Sequence, residues 1–379
     1  MKILVFNWQD IKNPLAGGAE VHLHEIFSRI AKKGHSVTLV CSQFRGGSPR
    51  DIINGIRIIR VGTRNLFNFA VPLWYLFFGG KYDVIIDDVN KIPFYSPLYV
   101  RNPIIALFHH LFGKSIYLET NPVAASYVYA SEWFIPKVYG NVPIIAVSES
   151  TKAELVGEGI PESNITIIHN SVDHSLYKPD GRVDRINSQP TIGFLGRIKK
   201  YKSIEHLLQA FEMVKVEYPK AKLVVIGDGD YLPRLRKAAS KMKYHDDITF
   251  TGYVSDEEKI RLIRELDVVV NTSSKEGWGL TVIEANACGV PVIGADVPGL
   301  RDSIVNEETG LLYHYGDIEA LTALLFRYFG DERLRKKLSD NAVTWAGKFN
   351  WDNAADEFLK VIEDSVYEWK YRKNPSIER

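Results

Sequence analysis

The sequence predicts an α/β chain built as two doubly wound parallel-sheet domains. Three observations predict it. Short apolar runs alternate with amphipathic helical patterns along both halves of the chain, as parallel strands joined by crossover helices do. A segment rich in Asp, Arg, Gly, Ser and Pro, 177–190, separates the two series and reads as a linker. The length, 379 residues, exceeds what one ordinary core organises.

In the first half, strands are expected at 3–6, 37–41, 56–61, 84–86, 104–108, 144–147 and 165–168, and helices at 19–33, 67–78, 123–139 and 149–157. The first strand runs out in Asn7-Trp8-Gln9-Asp10, and Gly17-Gly18 open the next helix. A helix N-terminus presents N–H groups to an anion, and Gly18 lets a ligand approach the backbone. The same glycines also suit a plain tight turn. Asp87-Asp88-Val89-Asn90 ends one strand, and Asp88 and Asn90 either bind the hydroxyls of a ligand or cap a turn. His109-His110 ends another; a lone histidine there is commonly a satisfied structural group.

In the second half, strands are expected at 192–195, 223–226, 248–251, 268–270 and 292–294, and helices at 204–216, 232–241, 256–266, 280–288, 318–329 and 332–348, with a last amphipathic helix from Trp351. After the first of these strands comes Gly196-Arg197-Ile-Lys-Lys-Tyr-Lys202-Ser203. Arg197 can grip phosphate oxygens with its fork and Lys202 adds a point charge, or the lysines form a solvated run. Ser203 can cap the next helix. Gly227-Asp228-Gly229-Asp230 begins like a dinucleotide fingerprint but has no third glycine at 232; Asp228 and Asp230 read as loop residues.

The stretch Glu276-Gly-Trp-Gly-Leu-Thr-Val-Ile-Glu284 follows an apolar strand and enters a helix that Gly289 closes. It sits where open α/β sheets bind ligands, at the carboxyl ends of strands. Its two carboxylates can reach a polyhydroxylated ligand from different heights, while the helix N-terminus offers N–H groups to phosphate. That combination fits a nucleotide sugar. Two glutamates at such a spacing can also simply face solvent.

Bulk properties narrow the field. Formal net charge is +1, which gives no argument for a nucleic-acid partner. The two cysteines, Cys41 and Cys288, make no zinc spacing or disulfide framework, which suits a reducing cytosol. Lys2 leads straight into Ile-Leu-Val-Phe, a strand and not a signal peptide. The greasy run 66–78 is too short to span a bilayer. It reads either as a core helix or as an interfacial or acceptor-binding surface. Residues 1–64 hold ten Lys/Arg and four Asp/Glu, an excess of six positive charges that can attract anionic lipid.

The context EGWGL…EANACGVPVI, with GGAE at 17–20 and G-R-x4-K at 196–202, resembles retaining glycosyltransferases of family 4. The resemblance covers nearly the whole chain. It implies the GT-B fold: two Rossmann-like domains facing across a cleft, with a C-terminal helix crossing back to the first. The expected domains are 1–176 with about 352–379 for the acceptor, a linker at 177–190, and 191–351 for the nucleotide sugar. It further implies a sugar transferred from a nucleoside diphosphate sugar to a hydroxyl of a glycan or lipid carrier, without metal or other cofactor. In that scheme Glu284 binds ribose hydroxyls and Glu276 holds the transferred sugar. Arg197, Lys202, Gly18, Gly196, Gly229, Gly279, Leu280 and Thr281 surround the diphosphate, and Tyr253 and Val254 hold the base by main-chain groups. His109 reaches the sugar, and His110 is the alternative. His169-Asn170-Ser171-Val172-Asp173 resembles the family's N-G-V-D turn, with serine for glycine, and is expected to shape the hinge. A cytoplasmic location is expected, with peripheral contact at the inner face of the cell membrane. The rivals are a metal-dependent transferase on Asp228-x-Asp230 and a non-catalytic two-lobed sugar-binding protein.

Overall fold

The computed structural model describes residues 1–181 and 189–373. Residues 182–188 of the expected linker and 374–379 of the expected last helix lie outside the described residues. The chain divides into two compact units, Met1–Asn170 with Trp351–Arg379, and Ser171–Asn350.

Among the described residues the first unit carries an eight-stranded sheet: β1 (Lys2–Phe6), β2 (Ser36–Gln43), β3 (Arg50–Ile53), β4 (Ile56–Thr63), β5 (Val84–Val89), β6 (Ile104–Phe108), β7 (Ile144–Ala146) and β8 (Ile165–Ile167). The spatial order is β3-β4-β2-β1-β5-β6-β7-β8, parallel except for β3 on β4. The hairpin strand β3 went unpredicted, although Asn54-Gly55 between isoleucines is a hairpin signal. Both turn residues have positive φ, 48° and 84°, as a two-residue turn of this hand requires. The central strands are buried on both faces, so they read as unbroken apolar runs.

Among the described residues the second unit carries six parallel strands: β9 (Thr191–Leu195), β10 (Lys222–Ile226), β11 (Ile248–Gly252), β12 (Val268–Asn271), β13 (Val292–Ala295) and β14 (Gly310–Tyr313), in the order β11-β10-β9-β12-β13-β14. By rank along the chain this is 3-2-1-4-5-6, whose order reverses between β9 and β12. The edge strand β14, short and preceded by no strong apolar run, was not predicted. In the first unit the order likewise reverses, between β1 and β5. Residues 171–180 belong with the second unit; His174 Nε2 donates to the Phe349 carbonyl at 2.9 Å.

Helix starts follow the caps written in the sequence. Asn121, Ser148, Ser255, Asp317 and Asp331 each accept an N–H from the first turn they precede. The expected helix over 123–139 is two helices, Pro122–Glu132 and Ile135–Tyr139. Pro136 explains the break: it lacks an N–H and disfavours helical geometry in the residue before it, so it fits only a first turn. The last helix, Trp351–Lys373, packs on Gly18–Lys32. Phe27 and Phe358 meet edge to face at 5.2 Å, and Arg29 Nε donates to Asp352 at 2.7 Å.

One ion pair inside the first unit was invisible in the sequence. Arg60 and Asp10, 4% and 1% exposed, form two parallel hydrogen bonds of 2.7 and 2.9 Å. Burial pushes the Asp10 carboxyl up, but Arg60 outweighs it and holds the pKa below the usual range. Arg60→Met would leave Asp10 buried without its cation. We expect a loss of about 3–5 kcal/mol of unfolding free energy for the first unit in urea titrations.

Candidate functional site

The reversal of strand order in the second unit brings the loops after β9 and β12 together. They are stitched by backbone and hydroxyls: Ser274 N and Oγ donate to the Tyr201 carbonyl at 2.9 and 3.1 Å, and Thr272 Oγ1 to the Lys202 carbonyl at 2.7 Å. The stitching delivers Lys202 Nζ to Glu276 Oε1, a direct ion pair with side chains only 11% and 12% exposed. The same oxygen accepts from Ser273 Oγ at 2.7 Å and from Asn271 Nδ2 at 3.5 Å. Burial, the largest single influence, would push the Lys202 ammonium down; the charge and hydrogen bond of Glu276 together with Tyr201 more than offset it and hold the pKa above the ordinary lysine range.

Close backbone approach explains several glycines here. A Cβ on Gly227 would lie 2.0 Å from the Gly196 carbonyl oxygen, and one on Gly229 would lie 2.1 Å from that of Ile198. Gly229 thus seats the loop after β10 against the loop after β9. Gly196 has φ +133°, open to glycine alone. Gly299, in a turn given no role by the sequence, would clash at 2.4 Å with the Glu276 carbonyl, and Pro298 O accepts from Glu276 N at 3.1 Å. That turn therefore fixes the backbone that carries Glu276.

Ser203 stands at the start of Ile204–Glu217 but does not cap it. Its backbone is left-handed, φ +47°, and its hydroxyl shares a 2.9 Å hydrogen bond with Tyr315. Arg197 lies exposed at the end of β9, while Lys202 is buried five residues on. Helix Leu280–Ala287 starts at Gly279, φ +84°, with no side-chain cap, so the amides around Leu280 and Thr281 face the loop rather than a capping side chain. Glu284, 8% exposed, accepts from Lys259 Nζ at 3.0 Å. Lys259 also lies 5.2 Å above the Tyr177 ring. Sequence reading missed Lys259, which sits in Asp256–Glu265, a helix whose charge run looks solvated. Tyr253 is 85% exposed just beyond β11, and Val254 is half-buried. Asp228 accepts from its own loop at Gly229 N, 2.7 Å, and Asp230 pairs with Lys199 at 2.6 Å. Both are loop residues, as expected. Among the described residues no group of three or more His, Cys, Asp or Glu is placed to hold a metal ion.

At the corresponding edge of the first unit the groups are polar but mostly not charged. Asn90 Nδ2 donates to Asn7 Oδ1 at 2.7 Å and lies 3.3 Å from Glu20 Oε1; Glu20 Oε2 in turn accepts from Gly17 N at 2.6 Å. A Cβ on Gly18 would meet nothing within 4 Å, so the chain itself leaves that side of the helix N-terminus open. His109 Nε2 donates to Asp88 Oδ1 at 3.0 Å. Asp88 is wholly buried, which corrects its expected contact with an acceptor: its carboxylate orients His109 and reaches no surface. Asn90, 7% exposed, spends its amide on Asn7 and Glu20. His110 is half-buried and packs on Phe112 with ring centroids 4.8 Å apart. His22, unpredicted, lies edge to face with His109 at 5.3 Å and donates from Nδ1 to Asn170 Oδ1 at 2.6 Å. Asn170, read as a hinge-shaping residue, is thus also the anchor of a buried imidazole.

The two halves match two family descriptions, residues 16–176 "Glycosyltransferase Family 4" and residues 181–345 "Glycosyl transferases group 1". An uncharacterized glycosyltransferase of Methanocaldococcus jannaschii is 25% identical over 391 aligned residues, spanning 96% of this chain and 98% of that one. In fold, the chain is similar to sucrose-phosphate synthase of Thermosynechococcus elongatus (TM-score 0.80, 20% identity, 96% and 98% of the two chains). It is also similar to HepE of Anabaena, solved with UDP and glucose (TM-score 0.77, 17% identity, 96% and 100%). Two parallel-sheet α/β units with these matches define a GT-B glycosyltransferase. The chain belongs to glycosyltransferase family 4, and its activity is that of a glycosyltransferase.

Burial holds the His22 imidazole neutral, with its pKa pushed down to about 3; the neighbouring His109 adds to the shift and the bond to Asn170 opposes it. A histidine depressed this way is protonated only in the unfolded chain between its two pKa values, so stability is lost as pH falls from about 6.5 toward 3. Between pH 7 and pH 5 this one group should withdraw about 2 kcal/mol. His22→Gln should flatten that part of the stability–pH curve, measured by urea unfolding at stepped pH.

Proposed function

We propose that the chain transfers a sugar from a nucleoside diphosphate sugar to an acceptor hydroxyl with retention at the anomeric carbon. The observation that carries this reading is the buried Lys202–Glu276 pair at the point where the 3-2-1-4-5-6 strand order reverses. A cation there suits a diphosphate and a carboxylate suits sugar hydroxyls. The presence of UDP and glucose in HepE, a structural neighbour, supports a uridine donor as the first to test.

In the proposed mechanism, Arg197, Lys202 and the amides at the start of Leu280–Ala287 neutralise the diphosphate, so the chain's own cations carry the leaving group's charge without a metal. Glu284 takes the ribose hydroxyls and Glu276 the hydroxyls of the transferred sugar. Main-chain groups at Tyr253 and Val254 receive the base. Binding would exchange the Lys202–Glu276 contact for contacts of each with the donor. The bond from the anomeric carbon to the β-phosphate oxygen breaks, the bond to the acceptor oxygen forms on the same face, and the acceptor proton passes to the departing phosphate oxygen. His109, held by Asp88, is the residue proposed to contact the transferred sugar. The proposed acceptor is a glycan or lipid-linked hydroxyl, met in the cytoplasm or at the inner face of the cell membrane.

The test is product formation from labelled UDP-, GDP- and ADP-sugars, with donors first ranked by thermal shift. Glu276→Ala should lower kcat/KM by about 30-fold or more, the loss of about 2 kcal/mol of transition-state contact. Unchanged turnover in that variant would remove Glu276 from the site. Activity abolished by EDTA and restored by a divalent cation would overturn the metal-free mechanism while leaving the donor reading intact.

A further inference from the structure

Helix Phe67–Phe78 has no charged residue in its twelve positions. Its buried stripe is Phe67, Val71 and Tyr75, one residue per turn, packed on a cluster with Trp8 and Phe94. A helix that covers a core in this way ordinarily turns polar side chains to water. This one instead exposes Phe69 (61%), Leu73 (61%), Leu76 (68%) and Phe77 (80%). The apolar surface continues beyond the helix. Asn68 Nδ2 donates to Tyr127 Oη at 3.1 Å, tying it to Pro122–Glu132, and Trp133, which follows that helix, is 76% exposed. A patch spanning two helices is too large to be scattered surface apolarity.

We propose that this face docks on an anionic phospholipid bilayer. No helix among the described residues is long and apolar enough to cross a membrane. Twelve residues rise only about 18 Å against a hydrocarbon core of about 30 Å, so the helix lies in the interface plane. Charge selects the occupant. Exposed Arg64 and Lys81 stand three residues before and three after the helix, and exposed Lys114 and Lys137 flank the neighbouring segment. Of the nearby acids, Glu132 is occupied by the amides of Phe112 and Gly113, at 2.6 and 2.8 Å, and Asp83 accepts from the Lys2 amide at 2.7 Å; with Glu119, two exposed acids stand against these four exposed cations. Aromatic side chains within a collar of cations match the lipid interface, where rings sit at headgroup level and cations meet phosphate. A second copy fits poorly, because a twofold contact through this face would bring like cations together. The proposal stands apart from the donor reading, since it uses no residue of that site.

The test uses the full chain in co-sedimentation with phosphatidylcholine vesicles, with and without phosphatidylglycerol. We expect binding to the anionic vesicles that weakens with salt. Leu76→Ser/Phe77→Ser should lose about tenfold or more on anionic vesicles through lost apolar burial. Arg64→Glu/Lys81→Glu should lose about tenfold on anionic vesicles only. All four side chains are exposed, so melting temperature and donor thermal shift should match wild type in both variants. Wild-type protein that stays in the supernatant, or a Leu76→Ser/Phe77→Ser variant that sediments like wild type, overturns the proposal. So does a concentration-dependent dimer that the same variant abolishes, which would assign the face to a second copy.

Discussion

Lys202 and Glu276 are two opposite charges withdrawn from water at the place where the second sheet reverses its strand order. Burying an ion costs several kcal/mol, and mutual attraction repays this only when the remaining hydrogen-bonding capacity is filled. The surrounding loops fill part of it, at Glu276 Oε1, and hold the backbone on both sides. Ser273 and Asn271 donate to the same carboxylate oxygen, Thr272 and Ser274 hold the lysine loop, and the Pro298-Gly299 turn grips the glutamate backbone. Residues distant in sequence are thus constrained by one contact. Either charge alone would be worse than both or neither, so the pair ties the conformations of the two loops together.

The first unit shares the reversal of strand order but not the chemistry. Its edge at the β1/β5 reversal holds amides, imidazoles and carboxylates that pair with one another, Asn7 with Asn90, Asn90 with Glu20 and Asp88 with His109, while Asn90 Oδ1 and Asp88 Oδ2 stay buried with no hydrogen-bond partner among the described residues. Burial keeps His22 neutral and lifts the Asp87 carboxyl to about 6, against the donors Ser96 and Tyr139 that favour its charged form. Such an edge orients groups by hydrogen bonds rather than by net charge. The second unit presents cations beside carboxylates.

Much of this was legible because parallel strands buried on both faces appear as continuous apolar runs, and because caps and glycines mark helix boundaries. Helix Phe67–Phe78 was bounded correctly, and Gly279 and Gly289 bracket the helix carrying Glu284. Contacts between distant residues were not legible. Lys259 reads as one charge in an exposed run until β11 and β12 become parts of one sheet and its helix is packed beside Glu284. Arg60 looks like one more surface cation in a basic stretch, yet it is buried against Asp10 fifty residues away. Asp88 looked like a ligand because it ends a strand; only burial separates a side chain that touches a ligand from one that steers its neighbour. The β3 hairpin is a different kind of miss, since its Asn54-Gly55 turn was in plain view.

Ser203 shows which level of structure prevails where local preference and tertiary contact disagree. An L-residue in the left-handed region is strained by about 1–2 kcal/mol, and glycine would relieve it. The hydroxyl bond to Tyr315 offsets about 1 kcal/mol of that, leaving little net penalty for the serine. What fixes the conformation is the neighbour: Lys202 is locked by Glu276 on its side chain and by Thr272 on its carbonyl, so the next residue must turn sharply for the helix to begin. The side chain at 203 adapts to a backbone that the ion pair dictates. A local rule broken beside a buried ion pair is what a loop geometry under tertiary control predicts, and it explains why the helix starts without a side-chain cap.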